Sequence, residues 1–288
     1  MKGLLLSFIL LFWGTFSVNA QNRSIRFLDD NWNIVLKKAE RTGKLIFVDC
    51  YTSWCGPCQT LAKEVFTLDS VADFFNRHFL CVKLDIEKGK GLELKKPFEI
   101  RAYPTLLFLD GKQQVVHRIV GCDGAEYLMK EAGKALDPQL NFRAMQERYM
   151  AGERATDFIL EYLNYLGHAY LEEEANAIAL QYLQGFKEEE LITSANWKII
   201  EKYIKDPLAI PLQVVMKRRK AIFDLAPEQE VINKLNLTCR SALLPFTRWR
   251  PDSEIVFDER YYDALVAYFK SVDYDLAPEC LANLYTAG

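Results

Sequence analysis

The motif Trp54-Cys55-Gly56-Pro57-Cys58 constrains the fold of this chain most, because it lies where a strand pattern gives way to a helix pattern. Residues 44–51 form an apolar run of strand length that contains one acid, Asp49. Residues 59–66 carry apolar side chains at helical spacing. The order predicts a strand, a short loop and a helix whose first turn starts at Cys55.

This placement favours redox chemistry at the two cysteines. Unpaired N–H groups and the dipole at a helix start stabilise a thiolate, and the thiolate is the form that attacks disulfides. Cys55 is therefore the predicted nucleophile. Cys58, about one helical turn further on, is the predicted resolving thiol. Pro57 suits a first helical turn, and Gly56 lets a partner chain approach the sulfur closely.

A zinc site is the alternative interpretation of two cysteines at this spacing. Structural zinc needs two further Cys or His ligands at suitable spacing. His78, His117 and His168 are scattered, and the sequence has no second C-x-x-C. The prediction is dithiol chemistry with no metal.

Together these features resemble the thioredoxin superfamily, from about Phe27 to Asp137. The resemblance implies an α/β thioredoxin fold, a central mixed sheet flanked by helices, and no cofactor beyond a redox-active Cys55–Cys58 disulfide. It also implies that Asp49, six residues before the nucleophile, accepts the proton of Cys58. Burial raises the pKa of a carboxyl and suits it to that role. A carboxyl that makes only local hydrogen bonds at a strand end is the alternative.

The segment around Tyr103-Pro104 resembles the second landmark of the same superfamily. The resemblance implies that Pro104 is cis, faces the cysteines, and exposes the backbone of Tyr103 for pairing with an extended substrate. Tyr103 either tunes substrate choice or only covers the disulfide. Lys83, on the predicted strand at residues 79–85, would tune Asp49, so that it joins the predicted catalytic set. The predicted substrate contacts are Trp54, Gly56, Pro57, Tyr103, Pro104 and Gly121.

Five further cysteines have less specific interpretations. Cys50 and Cys81 fall inside strand patterns and are expected to be small buried hydrophobic residues. Cys122 follows Gly121 at the rim of the predicted substrate groove. It is either a modification site or a small residue at a tolerant position. Cys239 and Cys280 are either free or paired, because the sequence does not determine connectivity.

The first 20 residues have the pattern of a secretory signal peptide. A basic Lys2 precedes an apolar core, and Val18-Asn19-Ala20 form a small-residue cleavage signal, so the mature chain would begin at Gln21. An uncleaved anchor is the alternative, but the apolar stretch is shorter than the roughly 20 residues of a spanning helix. The prediction is an exported protein, most simply periplasmic in a bacterium, that does not span the membrane after cleavage.

The 288 residues exceed the length of one thioredoxin-like domain, so a second domain is predicted. A helix at residues 124–136 closes the first domain, residues 21–137. Residues 138–288 show helical spacing, which predicts either an all-α domain of helical hairpins that resembles tetratricopeptide repeats near residues 166–183 or an irregular helical bundle. The predicted breaks between its helices are Gly152, Gly167, Gly185, Asp206-Pro207, Ala226-Pro227 and Arg250-Pro251.

The dipeptide between the cysteines bears on the direction of the reaction. Gly56-Pro57 is what reducing members of the superfamily tend to carry, so the prediction is an exported reductase of protein disulfides, resupplied by a membrane electron donor. The alternatives are an oxidase or isomerase, and a client-binding protein whose dithiol is secondary. The net charge of −3 does not suggest nucleic acid as a partner, and the basic cluster at residues 217–220 reads as a solvated helix face.

Overall fold

Strand β1 (Leu45–Tyr51) lies inside a four-stranded sheet whose other members are β2 (Phe79–Asp85), β3 (Thr105–Leu109) and β4 (Val115–Val120). The strand order is β2-β1-β3-β4. β1 pairs with β2 in parallel and with β3 antiparallel, and β3 pairs with β4 antiparallel. The predicted mixed sheet of a thioredoxin fold is thereby confirmed.

The computed structural model describes residues 23–29, 31–247 and 257–287. The predicted signal peptide, residues 1–20, and the predicted break at Arg250-Pro251 lie outside these ranges. Within them, no helix combines the length and the apolar character needed to cross a bilayer.

Helices cover both faces of the sheet. Apolar residues that alternate along β1 explain this, because neighbouring side chains of a strand point to opposite faces. Phe47 packs with a group of phenylalanines that includes Phe75 and Phe108, whereas Ile46 and Val48 pack on the other face. The helices of this part are α1 (Trp32–Thr42), α2 (Gly56–Thr60), α3 (Asp69–His78), α4 (Gly89–Lys95) and α5 (Ala125–Leu136).

The helix predicted after the cysteines is not uniform. α2 is a single short turn, and residues Leu61–Val65 continue it as a π-helical segment. Leu61 and Val65 are buried in the phenylalanine core. Both residues thus stay on the buried face through the π-helical turn, before the chain reaches α3.

The described residues from 142 onward form helices joined by short connections, as predicted, and have their own core. α7 and α8 pack as a hairpin, with Leu166, Ala175, Tyr182 and Leu183 buried between helices. The prediction of a break at Gly167 is wrong: it lies inside α7, and the break comes after His168 because residues 169–171 leave the helical conformation. The assignment to a repeat family stays a prediction.

The ten helices described in this second part follow in chain order. They are α6 (Phe142–Met150), α7 (Thr156–His168), α8 (Glu172–Leu183), α9 (Glu188–Leu191), α10 (Ser194–Tyr203), α11 (Ile210–Lys217), α12 (Arg219–Ile222), α13 (Glu228–Thr247), α14 (Glu259–Ser271) and α15 (Ala277–Ala287).

The helical part contacts the sheet along β4, which is an edge strand. The hydroxyl of Tyr165, on α7, accepts a hydrogen bond from the backbone N–H of Arg118 and donates one to the carbonyl of the same residue, both at 2.9 Å. Arg143, on α6, forms an ion pair with Asp110 at 2.8 Å. The edge of the sheet is therefore covered by helices rather than open. The predicted domain boundary after Asp137 falls in the connection between α5 and α6.

Candidate active site

Cys55 and Cys58 are joined by a disulfide, with their Cα atoms 5.3 Å apart. Cys55 is the N-cap of α2, and its Sγ accepts a hydrogen bond of 3.2 Å from the N–H of Cys58. Both cysteines are largely buried. The structure therefore presents the oxidised form of the dithiol, with one sulfur held at a helix start where a negative charge would be stabilised.

Local sequence explains this loop. Gly56 has open space where a Cβ would stand, so nothing blocks an approaching chain on that side. Pro57 stands in the first turn of α2, where its missing N–H costs no intrahelical bond. The N–H of Gln59 closes the turn on the carbonyl of Cys55 at 3.1 Å.

Asp49 lies on β1 with only 1% of its surface exposed. Its partner across the parallel register of β2 is Lys83, whose Nζ lies 3.2 Å from Asp49 Oδ2. This contact is an ion pair outside hydrogen-bond geometry, and neither carboxylate oxygen accepts a regular hydrogen bond from the described part of the chain. Burial outweighs the attraction of Lys83 and raises the pKa of Asp49 from 3.8 to about 6.

Aromatic rings, as well as Asp49, contact the ammonium of Lys83. Its Nζ lies 5.1 Å from the ring centre of Phe27 and 5.0 Å from that of Tyr51. Such distances allow cation–π attraction, which fixes a half-buried ammonium without pairing its charge. Sequence reasoning missed both rings. Phe27 forms an isolated bridge to Cys81 on β2, a contact that no local pattern reveals.

The indole of Trp54 is the exposed feature of the site, with 66% of its surface accessible. It stands edge-on to the ring of Tyr103, with centroids 5.9 Å apart. Its Nε1 donates to the carboxylate of Glu87 at 3.0 and 3.1 Å. Lys95 stacks on the other aromatic, 5.7 Å from the Tyr103 centroid. Glu87 and Lys95 were not predicted, because they belong to a different loop and helix.

The Tyr103–Pro104 peptide bond is cis, as predicted. The carbonyl of Pro104 accepts a hydrogen bond of 2.9 Å from the N–H of Gly121, so the two predicted substrate contacts lie together. Gly121 has a φ of +73°, a left-handed conformation that glycine adopts without steric cost. Among the predicted site residues, the structure thus groups Trp54 with Tyr103, Pro104 with Gly121, and Asp49 with Lys83.

A cleft of about 850 Å³ opens next to Gly121, between the end of β4 and the helical part. Its lining includes Cys122 and Tyr127 on one side and His168, Tyr170 and Lys202 on the other. None of the described residues that line it belongs to the Cys55–Cys58 loop. The cleft therefore adjoins the rim of the site rather than the disulfide. Sequence reasoning did not find it, because it forms only where the two parts of the chain meet.

A buried polar group behind β4 was also missed. His117 is fully buried; its Nδ1 accepts the N–H of Phe142 at 3.2 Å, which leaves Nε2 as the donor to Glu131 at 3.0 Å. Burial alone would raise the pKa of Glu131, but hydrogen bonds from His117 and Lys134 outweigh it and lower this pKa to about 2. The group joins β4, α5 and the start of α6.

The other cysteines are all free thiols. Cys50 and Cys81 are buried within strands, as expected, and burial raises the pKa of both thiols. Cys122 is half-buried, and its Sγ donates to the carbonyl of Gly124 at 3.4 Å. In the described part of the chain, no group of three or more His, Cys, Asp or Glu side chains is placed to hold a metal ion.

Comparison with known proteins agrees with this geometry. A family model described as thioredoxin-like matches residues 28–111, which include the disulfide, Asp49 and Lys83. A thioredoxin H-type of Fagopyrum esculentum is 36% identical over 101 residues, which cover 35% of this chain and 81% of that protein. Thioredoxin H-type 1 of Nicotiana tabacum is 34% identical over 100 residues, covering 34% of this chain and 71% of that protein.

The chain belongs to the thioredoxin superfamily. As a superfamily member with an intact Cys55–Cys58 pair, it is a thiol–disulfide oxidoreductase. A solved structure from Bacteroides thetaiotaomicron, described as a candidate disulphide-isomerase, is 47% identical to this chain. The match covers 41% of this chain and 98% of the solved chain, with a TM-score of 0.38. The helices from residue 142 onward lie outside the residues that the family model matches.

Proposed function

We propose that this oxidoreductase is an exported reductase of protein disulfides. The observation that favours reduction over oxidation of substrates is the identity of the two residues between the cysteines, Gly56 and Pro57. Gly56 and Pro57 add no positive charge beside Cys55, and Pro57 contributes no N–H, so they add nothing to the stabilisation that the helix start and the bond from Cys58 give the thiolate. Weak stabilisation of the thiolate leaves the disulfide form comparatively stable, which corresponds to a low reduction potential.

The reaction begins from the reduced pair. The thiolate of Cys55 attacks one sulfur of the substrate disulfide, forms a mixed disulfide and releases the other substrate sulfur as a thiolate. Cys58 then loses its proton and attacks Cys55 Sγ, which breaks the mixed disulfide and releases the second substrate thiol. Asp49, with a pKa of about 6, takes the proton of Cys58. The product is the Cys55–Cys58 disulfide of this structure.

Lys83 has a positioning role in this scheme. At 3.2 Å from Asp49 it opposes part of the desolvation that raises the pKa of the acid. Without Lys83 the carboxyl would hold its proton to higher pH. The pair therefore keeps Asp49 able to accept and return a proton near neutral pH.

The substrate lies against the exposed aromatic side of the loop. Trp54 and Tyr103 offer a broad apolar contact, and the backbone of Tyr103 is available to pair with an extended chain. Gly56 leaves space beside the disulfide for an approaching chain, and Pro104 with Gly121 forms the opposite rim.

The helical part selects protein partners. It contacts the sheet at the rim, and the cleft beside Gly121 is lined by both parts. A polypeptide that reaches the disulfide over this rim would contact Tyr170 and Lys202 as well. A small disulfide would not reach them.

Export and electron supply complete the proposal. The predicted signal at residues 1–20 places the protein in an oxidising compartment, most simply a bacterial periplasm. A reductase in such a compartment needs a supply of electrons across the membrane. N-terminal sequencing of protein recovered from the periplasm tests this: a mature start at Gln21 supports export, and an intact Met1 in the cytoplasm contradicts it.

The decisive experiment is the reduction potential of the Cys55/Cys58 pair, measured by equilibration with glutathione or dithiothreitol buffers. The C55S/C58S variant supplies the background. A value of about −250 mV or lower, close to the −270 mV of thioredoxin, supports a reductase. A value above about −200 mV overturns the direction and indicates an oxidase or isomerase.

Client binding is the second candidate function, favoured by the cleft between the two parts. The C55S/C58S variant separates it from catalysis. If that variant holds an unfolded disulfide-bonded protein as tightly as the parent does, binding is primary. If Tyr170→Ala instead lowers kcat/KM for a protein disulfide but not for oxidised glutathione, the helices serve the reductase.

A further inference from the structure

A second pair of cysteines meets in the helical part of the chain. Cys239 lies on α13 and Cys280 on α15, and both are free thiols. They are 0% and 1% exposed, within one apolar core. α13 and α15 pack against each other, and the interaction between the two thiols raises the pKa of Cys239 and lowers the pKa of Cys280.

The contact between α13 and α15 is anchored on both sides of the thiols. Arg240 and Glu279, each next in sequence to one of the cysteines, form an ion pair at 3.3 Å. The hydroxyl of Tyr274, just before α15, donates to Oδ1 of Asn236, one turn before Cys239. These bonds hold the two sulfur-bearing turns opposite each other.

We propose that Cys239 and Cys280 form a second, structural disulfide that cross-links α13 to α15. A disulfide requires Sγ atoms about 2.05 Å apart and Cβ atoms that face each other. The two cysteines lie in one buried core on helices that contact each other, and the Arg240–Glu279 and Tyr274–Asn236 bonds hold their turns in register for such a bond. The inference does not depend on the direction in which Cys55 and Cys58 work.

The chemistry is two successive thiol–disulfide exchanges with a disulfide oxidant, such as oxidised glutathione or a protein disulfide. The thiolate of Cys280 attacks one sulfur of the oxidant and releases the other as a thiolate. Cys239 then loses its proton and attacks Cys280 Sγ, which releases the second thiol of the oxidant. The two cysteines lose two electrons and two protons, and the oxidant gains them.

Burial determines when this happens. Neither thiol is accessible in the folded protein, so an oxidant reaches them while the chain folds or opens locally. The interaction with Cys239 lowers the pKa of Cys280, which favours Cys280 as the attacking thiol in a locally opened chain whose two helices still face each other. The disulfide closes a loop of about 40 residues and so restricts the unfolded chain.

The test uses the full-length C55S/C58S variant, in which five of the seven cysteines remain. The reduced protein is refolded in oxidised glutathione, alkylated in denaturant, and digested without reductant. We expect a peptide in which Cys239 is linked to Cys280, with Cys50, Cys81 and Cys122 free to react. The matched controls, Cys239→Ala and Cys280→Ala in the same background, should lack the linked peptide.

Thermal unfolding gives a second readout. The oxidised variant should unfold about 5–10 °C above its reduced form, and the two alanine controls should show no such shift. Recovery of Cys239 and Cys280 as alkylated or glutathione-bound thiols after refolding would overturn the proposal. The peptide measurement decides the matter even if the alanine variants do not fold, because it is made on a chain that retains both cysteines.

Discussion

Lys83 Nζ stands 3.2 Å from Asp49 Oδ2 in a pair whose acid is almost fully buried and whose base is 31% exposed. The attraction is too weak to offset the loss of water around the carboxylate, and the pKa of Asp49 is raised to about 6. An ionised Asp49 therefore costs folding free energy at neutral pH. The site retains a group that opposes folding, which is typical of residues kept for chemistry.

Asp49→Asn should therefore stabilise the protein above pH 6. The native state binds the proton more tightly than the unfolded chain, so the contribution of Asp49 to stability falls as pH rises from about 4 to 6. The difference between a pKa of 3.8 and about 6 sets an upper limit of about 3 kcal/mol. Urea unfolding should show a gain of about 1–3 kcal/mol at pH 8 and none below about pH 4.

The exposed Asp29 gives a matched control, and Asp29→Asn should show no pH-dependent gain. Lower stability of the Asp49→Asn variant at pH 8 would mean that Lys83 compensates the buried charge fully. Reductase turnover is measured on the same Asp49→Asn variant. Its loss would report the catalytic role of Asp49 separately from the effect of Asp49 on stability.

Cys58→Ser should trap the substrate on Cys55. The first exchange needs only Cys55, whereas release of the mixed disulfide needs a second thiol at position 58. Non-reducing electrophoresis with a disulfide-containing protein should show a covalent adduct with Cys58→Ser and none with Cys55→Ser. Cys122→Ser should turn over like the parent. An adduct formed by Cys55→Ser through Cys58 would reverse the assigned order of attack.

Glu131→Gln should destabilise the protein at neutral pH. The pKa of Glu131 is lowered from 4.5 to about 2, so its contribution to stability is complete above pH 4.5 and is lost as pH falls toward 2. We expect a loss of about 2–3 kcal/mol at pH 7 that shrinks below pH 4.5, measured by urea unfolding.

Glu126 lies on the same helix but is exposed, so Glu126→Gln serves as the control for Glu131→Gln. Its cost should not exceed about 0.5 kcal/mol. Equal losses in the two variants would show that the bonds from His117 and Lys134 add nothing to stability.

Tyr165→Phe should loosen β4. The substitution removes the one hydroxyl that serves both the N–H and the carbonyl of Arg118, and each buried unpaired group costs about 1–3 kcal/mol. We expect a total loss of about 2–4 kcal/mol and faster hydrogen exchange at the amide of Arg118. Tyr170→Phe, at a half-exposed ring, should change neither quantity. Unchanged exchange in Tyr165→Phe would mean that water replaces the hydroxyl.

The parts of the site that the sequence predicts are those built from adjacent residues. β1 and Cys55 at the start of α2 follow one another along the chain, so periodicity and helix-start chemistry suffice to place them. The π-helical turn at Leu61–Val65 was not predicted, because the spacing of its apolar residues is also that of an ordinary helix. The cis bond before Pro104 was accessible only through resemblance to a family. No local pattern distinguishes a cis from a trans proline.

The parts that the sequence does not predict join residues far apart along the chain. Tyr165 forms hydrogen bonds with Arg118, which lies 47 positions away in the sequence, and Trp54 donates one to Glu87, which lies 33 positions away. Hydrophobic spacing predicts that α7 is a helix but not the strand against which it docks. His117 likewise reads as an ordinary strand residue until α5 and α6 are in place around it.

The hydroxyl of Tyr165 on Arg118 has a consequence for how such a chain can be divided or recombined. The edge of the sheet depends on a helix that lies beyond Asp137 in the chain. A fragment that ends at Asp137 would therefore leave the N–H and the carbonyl of Arg118 without the hydroxyl that they bind. A helical segment from another protein could replace this one only if it placed a tyrosine hydroxyl at the same position against β4. Single substitutions at this contact will therefore separate the roles of the two parts better than truncation will.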